Sequence, residues 1–332
     1  METATLLVDT SFLGDVLLAE PLVRRLAARH PGPVDLLTTP AAAPLLEHHP
    51  ELREVLTFDK RGADKGLGGM RRLAARLRAR GYARVYCSHR SWRTAMLLAM
   101  ARIPERIAYD NAAGGFFYTA CVPYPAEKHE VERSLALAGG GEWERPRVHP
   151  TAAETARAAE LLPVEGAIAL APGSVWATKR WPAAHFRTLA EDLLADGHRL
   201  VLLGGPDDAA LTAGIADGLE GVLDLAGRCS LRESFAVLRR CAAVATNDSL
   251  PLHLGAAADI PVVALFCSTV PSFGFGPRGP RDRVVEVADL SCRPCGIHGH
   301  PACPEGHFRC GEDLAPALAL EAVRAALREV PV

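Results

Sequence analysis

Short runs of β-branched and apolar residues alternate along the chain with longer stretches in which apolar residues recur at helical spacing. In the first half the strand-like runs are residues 6–9, 34–38, 54–58, 84–87 and 106–109. The helical stretches between them are residues 16–29, 41–48, 69–80 and 94–102. This βαβα alternation is typical of a parallel sheet covered by helices. We therefore predict a Rossmann-like domain over residues 1–150.

A glycine triplet at residues 139–141, followed by Pro146 and Pro150, interrupts the alternation and indicates a domain boundary. The pattern then restarts with strand-like runs at 167–171, 199–203, 222–225, 243–246, 262–266 and 284–287. The intervening helical stretches are residues 183–195, 207–218, 231–240 and 250–258, and an amphipathic helix over 313–329 ends the chain. We expect that last helix to pack through Leu314, Leu318, Val323 and Leu327. Residues 151–332 are thus predicted to form a second Rossmann-like domain.

Composition and length agree with this organisation. A chain of 332 residues exceeds the roughly 250 to 300 residues at which single cores stop growing. Only 6% of the residues are aromatic, which suits helices on parallel sheets better than an all-β sandwich. The predicted class is α/β, with two doubly wound domains facing a central cleft.

Charge and hydropathy exclude several classes of partner. The formal net charge of -2 lacks the basic excess of a nucleic-acid-binding protein, so no nucleic-acid partner is expected. Residues 1–5 lead into the first strand without a basic segment or a cleavable apolar core, which predicts no secretory signal and a cytoplasmic location. The longest uncharged run, 260–277, contains three prolines and two glycines, so no transmembrane segment is expected either.

Ligands of open α/β sheets bind outside the carboxyl ends of the strands, so the loops that begin there are the candidate functional segments. The first of these loops contains Gly14 and Asp15 at the start of a helix. An aspartate at such a position is either an N-cap or a carboxylate that removes a proton from a reacting hydroxyl group. For sugar transfer, a single acid of this kind is enough to give inversion.

The loop over residues 171–182 carries two adjacent cations, Lys179 and Arg180. Only four of the 37 basic residues are lysines, so a lysine here is conspicuous. An ammonium on a flexible stem reaches a phosphate group easily, whereas Arg180 is equally compatible with a solvated side chain. This loop therefore predicts anion binding, centred on Lys179.

Residues 246–253, which read Thr-Asn-Asp-Ser-Leu-Pro-Leu-His, join a strand to a helix. The N–H groups of a helix amino terminus can bind a diphosphate. A carboxylate is repelled by phosphates, so we expect Asp248 to cap the helix or to accept hydrogen bonds from hydroxyl groups. Ser249 and His253 share one helical face, and the histidine is either structural or part of the site.

Together these loops resemble the glycosyltransferase family that contains the lipopolysaccharide heptosyltransferases, glycosyltransferase family 9, whose fold is GT-B. The resemblance covers nearly the whole chain and rests on an ordered set of motifs. The motifs are Gly14-Asp15 with Pro21, Pro172-Gly173-Ser174, Lys179-Arg180-Trp181-Pro182, Leu203-Gly204-Gly205, Leu225-Ala226-Gly227 and Thr246-Asn247-Asp248-Ser249 with His253.

The resemblance implies an inverting, metal-independent transfer from an ADP-heptose-like donor, bound by the second domain, to a lipopolysaccharide inner-core acceptor, bound by the first. It assigns Asp15 as the general base. The donor-binding residues are then Ser174, Lys179, Arg180, Gly204, Thr246, Asn247, Asp248, Ser249 and His253. Acceptor contacts are assigned to Ser11, Gly14, Arg90 and Arg93. We expect a cytoplasmic monomer, peripheral at the inner membrane where its anionic glycolipid acceptor lies.

One departure from the family pattern lies at Leu250-Pro251, where the family has glycine and a further residue. Leucine adopts left-handed backbone at a cost and proline donates no N–H, so donor binding there is expected to differ or to be weaker. Two alternatives therefore stay open. One is a nonhydrolysing sugar-nucleotide epimerase of the same fold, and the other is a non-catalytic scaffold or binding protein.

Two further sequence features have more than one interpretation. The arginine-rich helix of residues 69–80 is either a solvated face or a docking surface for an acidic acceptor. The loop over residues 291–311 contains Cys292, Cys295, Cys303 and Cys310. Their spacing is compatible with a structural zinc ion, with disulfides or with free thiols, and no catalytic cofactor is expected.

Overall fold

The structure, a computed structural model, describes residues 3–328. The chain divides into two compact units, Met1–His149 and Pro150–Val332. Each unit contains one six-stranded sheet. Neighbouring strands in both sheets run parallel. Several strands are buried on both faces, as expected when helices cover both sides of a sheet.

The first unit has the strand order β3-β2-β1-β4-β5-β6. Its strands are β1 (Thr5–Val8), β2 (Val34–Thr38), β3 (Leu52–Thr57), β4 (Arg84–Cys87), β5 (Glu105–Tyr109) and β6 (Ala120–Val122). Its helices are α1 (Leu13–Leu18), α2 (Glu20–Arg29), α3 (Ala43–Leu46), α4 (Gly66–Ala79), α5 (Trp92–Ala101) and α6 (Glu130–Ala136), with a short 3-10 helix at Gly115–Phe117.

The helix predicted over residues 16–29 is two helices, which meet at Ala19. Pro21 stands in the first turn of α2, where its missing N–H and fixed φ are tolerated. Further along a continuous helix the same proline would remove a hydrogen bond and clash with the preceding turn. The break therefore ends α1 directly after the segment that carries Asp15.

The second unit has the strand order β12-β11-β10-β7-β8-β9. Its strands are β7 (Ala167–Ala171), β8 (Leu200–Leu202), β9 (Val222–Asp224), β10 (Cys241–Asn247), β11 (Val262–Phe266) and β12 (Arg283–Glu286). Its helices are α7 (Ala152–Leu161), α8 (Ala183–Ala195), α9 (Ala209–Ala216), α10 (Leu231–Leu238), α11 (Leu250–Ala257), α12 (Arg309–Glu312) and α13 (Pro316–Arg328). Short 3-10 helices lie at Ala177–Lys179, Pro206–Asp208 and Pro271–Phe273.

The last helix, α13, packs through a face that differs partly from the prediction. Leu314, just before the helix, and Val323 are fully buried as expected, but Leu318 is 48% exposed. The buried residues within α13 are Ala319, Leu320, Val323 and Ala326. Leu318 lies about 100° around the helix from Ala319, which turns it away from the sheet. The end of the predicted helix, Glu329, lies outside the described residues.

Both sheets share one topology, and this topology locates the ligand sites. Within each unit the order of strands along the chain is that of the doubly wound Rossmann fold, which confirms the predicted α/β class. In this fold the direction of the strand order reverses between the first and fourth strands, and ligands bind outside their carboxyl ends. The switch points are therefore β1/β4 in the first unit and β7/β10 in the second.

Candidate functional site

The switch point of the second unit brings together the two loops that the sequence singles out. β7 and β10 pair directly, with Ala171 opposite Thr246. The loop after β7 contains Lys179 at the end of its 3-10 helix, and the segment after β10 contains Asp248. Two loops 60 to 80 residues apart in sequence thus emerge side by side from adjacent strands.

Lys179 and Asp248 form an ion pair in which Nζ lies 2.6 Å from Oδ2. Their side chains are only 15% and 8% exposed, so the pair is largely desolvated. The Thr269 hydroxyl donates a second hydrogen bond to the same carboxylate, at 2.7 Å. Asp248 thus accepts from a hydroxyl of the protein itself, and the N-cap of α11 is Ser249. The lysine is held in place by a protein carboxylate.

Thr246 and Asn247 hold the loop after β7 in place through buried hydrogen bonds. Both side chains are fully buried. Asn247 donates to the Pro172 carbonyl at 2.7 Å and accepts from the Trp181 N–H at 3.0 Å. The Thr246 hydroxyl lies 3.3 Å from the Ala171 carbonyl. These two predicted donor-binding residues therefore fix the backbone of the loop after β7.

Gly173 and Gly204 approach the carboxyl group of Asp208 closely. A Cβ atom on Gly173 would lie 2.4 Å from the Asp208 carboxyl carbon, and one on Gly204 would lie 2.7 Å from the Asp208 Cβ. Asp208 in turn accepts the Gly205 N–H at 3.0 Å. The Ser249 hydroxyl donates to the Gly173 carbonyl at 3.2 Å. A side chain on either glycine would therefore displace Asp208 from its position at the carboxyl end of the sheet.

The remaining predicted donor-binding residues differ in exposure. Arg180 is exposed, and its Nε donates to the Ser174 carbonyl at 2.6 Å. His253 is buried against the ring of Phe275, with ring centroids 6.3 Å apart. Burial and, secondarily, the charge of Lys179 lower the pKa of His253 to about 4, against an opposing effect of Asp248. At neutral pH this histidine is therefore uncharged.

Leu250 and Pro251 are accommodated as the first two residues of α11. Ser249, which precedes them, has extended backbone, so no left-handed conformation is needed at this turn. Proline in the first helical turn gives up an N–H that has no partner within the helix. The departure from the family pattern thus leaves the helix amino terminus intact next to Asp248.

The cysteine-rich segment packs against the loop that carries Lys179. The Thr178 N–H donates to the His300 carbonyl at 3.1 Å, and the His300 N–H donates back to the Thr178 hydroxyl at 2.7 Å. The Cys295 N–H donates to the Ser268 carbonyl at 3.1 Å. These bonds join residues 295–300 to the segments on either side of the Lys179–Asp248 pair.

No disulfide joins any two of the four cysteines of this segment in the structure. Burial, followed by the charges of Cys295, Cys303 and Cys292, raises the pKa of Cys310 to about 11. Within residues 3–328, no three His, Cys, Asp or Glu side chains are placed so that they could hold one metal ion. The zinc ion stays a prediction.

In the first unit, Asp15 lies in the third position of α1, directly after β1. Its carboxylate Oδ2 accepts the N–H of Phe12, the N-cap residue, at 3.1 Å. Asp15 is therefore not the N-cap itself. Gly14 precedes it within the helix, and Ser11 donates its N–H to Asp9 at 2.9 Å. The side chain of Asp15 is half-buried at the β1/β4 switch point.

Arg90 and Arg93 are exposed and lie after β4, the strand that pairs with β1. The Arg90 guanidinium lies 4.4 Å from the ring centroid of Tyr124, a cation–π contact. Burial is the main cause that raises the pKa of Tyr124, and the negative charge of Asp15 is one of the smaller causes in the same direction. The predicted acceptor residues of the loops after β1 and β4 therefore share one edge of the first sheet.

Three further residues of this edge, Lys60, Glu130 and Tyr124, were not predicted from the sequence. Lys60 donates to the Thr10 hydroxyl at 2.8 Å, and burial followed by the charge of Arg93 lowers its pKa. Burial raises the pKa of Glu130 to about 6 in spite of Arg133, with Asp9 and Arg90 as smaller influences. The scarcity of lysine, which drew attention to Lys179, applies equally to Lys60.

The arginine-rich helix α4 uses some of its cations in contacts within the first unit. Arg80 pairs with Glu54 at 2.5 Å, and Arg72 donates to the Ala63 carbonyl at 2.9 Å. A shallow groove of about 370 Å³ runs between α4 and α5, lined by Arg71, Ala74, Ala75, Arg78, Met100 and Arg102. Arg72 and Arg80 are thus both engaged within the first unit.

No helix among residues 3–328 is both long enough and apolar enough to cross a membrane.

Comparison with known proteins identifies the relatives of this chain. Lipopolysaccharide heptosyltransferase 2 of Salmonella typhimurium is 27% identical, over 98% of this chain and 98% of the relative. Lipopolysaccharide heptosyltransferase 1 of Pseudomonas aeruginosa is 30% identical, over 87% of this chain and 85% of the relative. Among solved structures, ADP-heptose lipopolysaccharide heptosyltransferase II of E. coli superposes with a TM-score of 0.81 at 25% identity, over 98% of both chains.

The model of glycosyltransferase family 9 (heptosyltransferase) matches residues 70–302. This match includes the loops of Lys179 and Asp248 and confirms the resemblance seen in the motifs. Because it spans well over half of the sequence, the chain belongs to glycosyltransferase family 9, the heptosyltransferase family, and is a glycosyltransferase of the GT-B fold.

Proposed function

We propose that this chain is an inverting, metal-independent heptosyltransferase that moves a heptose-like sugar from an ADP-heptose-like donor to a lipopolysaccharide inner-core acceptor. One observation carries the proposal: Asp15 and Lys179 each lie in the segment that follows the first strand of their sheet, at the switch point. The solved relative from E. coli, which is named for ADP-heptose, supports this choice of donor.

Asp15 is the general base in this proposal. Its carboxylate takes the proton of the acceptor hydroxyl while that oxygen forms a bond to the anomeric carbon of the donor sugar. The bond between the anomeric carbon and the diphosphate oxygen breaks, and ADP leaves with the electron pair. Ser11, Gly14, Arg90 and Arg93 bind the acceptor, and the two arginines suit its anionic groups.

Lys179 and the amino terminus of α11 bind the diphosphate of the donor. The ammonium neutralises negative charge that builds up on the leaving group, and the helix N–H groups add hydrogen bonds. Asp248 already holds Lys179, so a bound diphosphate shares the lysine with this carboxylate. Ser174, Arg180, Gly204, Ser249 and His253 complete the donor site, with Thr246 and Asn247 as its buried support.

The substitution Asp15→Asn tests the base. We expect it to preserve ADP binding and to lower turnover by about 100-fold or more, since a general base contributes that much. ADP binding is measured by thermal shift, because a ligand at about 100 times its dissociation constant adds about 2.7 kcal/mol of stability. Asp110→Asn, on an exposed aspartate after β5, serves as the matched control and should keep full turnover. Unchanged turnover in Asp15→Asn would show that Asp15 only supports α1.

A donor-only assay separates this function from the two alternatives. An epimerase converts its sugar nucleotide without any acceptor, whereas a transferase releases ADP in proportion to the acceptor consumed. Donor binding without turnover, with the full set of candidate acceptors, would instead indicate a binding protein.

We further propose that the enzyme is a cytoplasmic monomer, peripheral at the inner membrane, with a structural zinc ion in the segment 291–311. The spacing of the four cysteines supports the zinc ion, although their sulfur atoms would have to move together to bind it. Measurement of zinc per chain in the purified protein, with Cys292→Ser for comparison, tests it. Zinc at far less than one ion per chain would exclude it.

A further inference from the structure

The exposed apolar side chains of the first unit are gathered at one edge of its sheet. Among residues 3–149 the exposed large apolar side chains are Phe12 (51%), Leu67 (60%), Trp92 (48%) and Phe116 (74%). Each follows the carboxyl end of a strand: β1, β3, β4 and β5, respectively. Because parallel strands end at the same edge, all four lie on the edge that carries Asp15.

Aromatic rings account for most of this surface. Throughout residues 3–328, the aromatic side chains that are exposed are Phe12, Trp92 and Phe116. The ring centroid of Trp92 lies 5.3 Å from that of Phe116 and 5.4 Å from that of Phe117, and the centroids of the two phenylalanine rings are 4.3 Å apart. We call Trp92, Phe116 and Phe117 the aromatic cluster. Such packing organises the rings before any partner binds.

The aromatic cluster is held by the backbone beneath it. The Arg106 guanidinium donates to the Phe117 carbonyl at 2.6 Å, and the Ala113 N–H donates to the Arg90 carbonyl at 3.3 Å. These bonds tie the turn after β5 to the loop after β4. The exposure of Phe116 is therefore a property of a fixed turn.

Positive charge flanks the aromatic cluster. Arg90 and Arg93 are exposed on either side of Trp92 in the sequence, and Lys60 lies close enough to Arg93 for the charge of Arg93 to lower the pKa of this lysine. Carboxylates on the same edge are Asp9, Asp15, Asp59, Asp64, Asp110 and Glu130, so the positive charge is local to Arg90 and Arg93. Exposed aromatic rings next to arginines match the interface of an anionic bilayer, where rings sit at headgroup depth and cations pair with phosphates.

We propose that this edge of the first unit docks on an anionic lipid bilayer, with the aromatic cluster in the interfacial layer and Arg90 and Arg93 at the headgroup phosphates. The inference rests on the proposed function only in that a glycolipid acceptor is presented at such a surface. Docking needs neither donor nor acceptor, so it is measured independently of turnover.

The experiment is sedimentation of the full-length protein with vesicles of phosphatidylglycerol and phosphatidylethanolamine. We expect Phe116→Ser and the double variant Trp92→Ser/Phe116→Ser to lower the partition coefficient by about tenfold or more, as expected when buried phenylalanine surface is lost. Phe116→Leu should retain most of the binding. Leu318→Ser is the matched control, because Leu318 in the second unit is as exposed as Trp92. Added salt should weaken binding, since the arginines contribute.

Binding of Phe116→Ser equal to that of the unsubstituted protein would overturn the proposal, as would failure of the unsubstituted protein to bind these vesicles. A third result also counts against it. If Phe116→Ser binds vesicles normally but raises KM for a soluble core oligosaccharide, the rings stack on acceptor sugars instead. Circular dichroism of Phe116→Ser checks that its fold is intact. An enzyme that binds ADP and turns over soluble acceptor but ignores vesicles would refute docking and leave the proposed function standing.

Discussion

The ion pair between Lys179 and Asp248 makes a quantitative prediction about stability. Replacing Lys179 by methionine leaves the Asp248 carboxylate, 8% exposed, with the Thr269 hydroxyl 2.7 Å away. Removing one partner of a buried pair costs about 3 to 5 kcal/mol because the remaining charge stays desolvated. Since Lys179 keeps 15% of its side-chain exposure, we expect about 3 kcal/mol for Lys179→Met. Asp248→Asn should cost a similar amount.

A double-mutant cycle isolates the interaction itself. In Lys179→Met/Asp248→Asn neither charge is left uncompensated, so the loss should be smaller than the sum of the single losses by about 2 kcal/mol. Unfolding of the full chain in urea, followed by tryptophan fluorescence, gives the four free energies. The exposed pair Arg187–Glu191, with side chains 36% and 47% exposed, is the control, and its coupling should be below about 0.5 kcal/mol.

A coupling at Lys179–Asp248 as small as that of the control pair would refute the reasoning. It would mean that water reaches both charges in solution. The lysine would then be freely available to a ligand, and Asp248 would have no part in positioning it.

Three further predictions concern stability and packing. Burial lowers the pKa of His253 from 6.5 to about 4. Between pH 6.5 and about pH 4 the unfolded chain therefore binds a proton that the folded chain does not, and the fold loses stability as the pH falls. The stability difference from His253→Asn should shrink by up to about 3 kcal/mol as the pH falls to about 4, which urea unfolding across that range would show. Glu20 is fully buried between two basic partners, so Glu20→Gln should cost about 3 kcal/mol in the same assay. Gly173→Ala should destabilise by about 1 to 3 kcal/mol because its Cβ would meet Asp208, whereas Gly214→Ala, with nothing within 4 Å, should not.

The alternation of apolar runs predicted most of the fold. The strand at Val262–Phe266 and the helix at Ala183–Ala195 have the predicted bounds, because each is a run of one period with clear turn residues at its ends. The pattern did not reveal β6 (Ala120–Val122), which has three residues and no buried face. A strand this short adds too little hydrophobic periodicity to be detected.

The candidate site was predictable only in part. Local signals located Asp15 and Lys179, since each lies where a strand gives way to a helix. The contact between Lys179 and Asp248 depends on the pairing of β7 with β10, and sequence periodicity carries no information on which strands pair. Lys60 escaped notice for a similar reason, since its partner Thr10 lies 50 residues earlier in the chain.

The segment that carries Lys179 is fastened almost entirely by distant parts of the chain. Ser268, His300 and Leu314 hold Thr178 and Trp181 across 90, 122 and 133 residues. Contacts of such long range cost much loop-closure entropy, and they form only after intervening elements have folded. During synthesis, Lys179 can therefore take its native position only after residues 300 and 314 have been made, long after its own segment has left the ribosome.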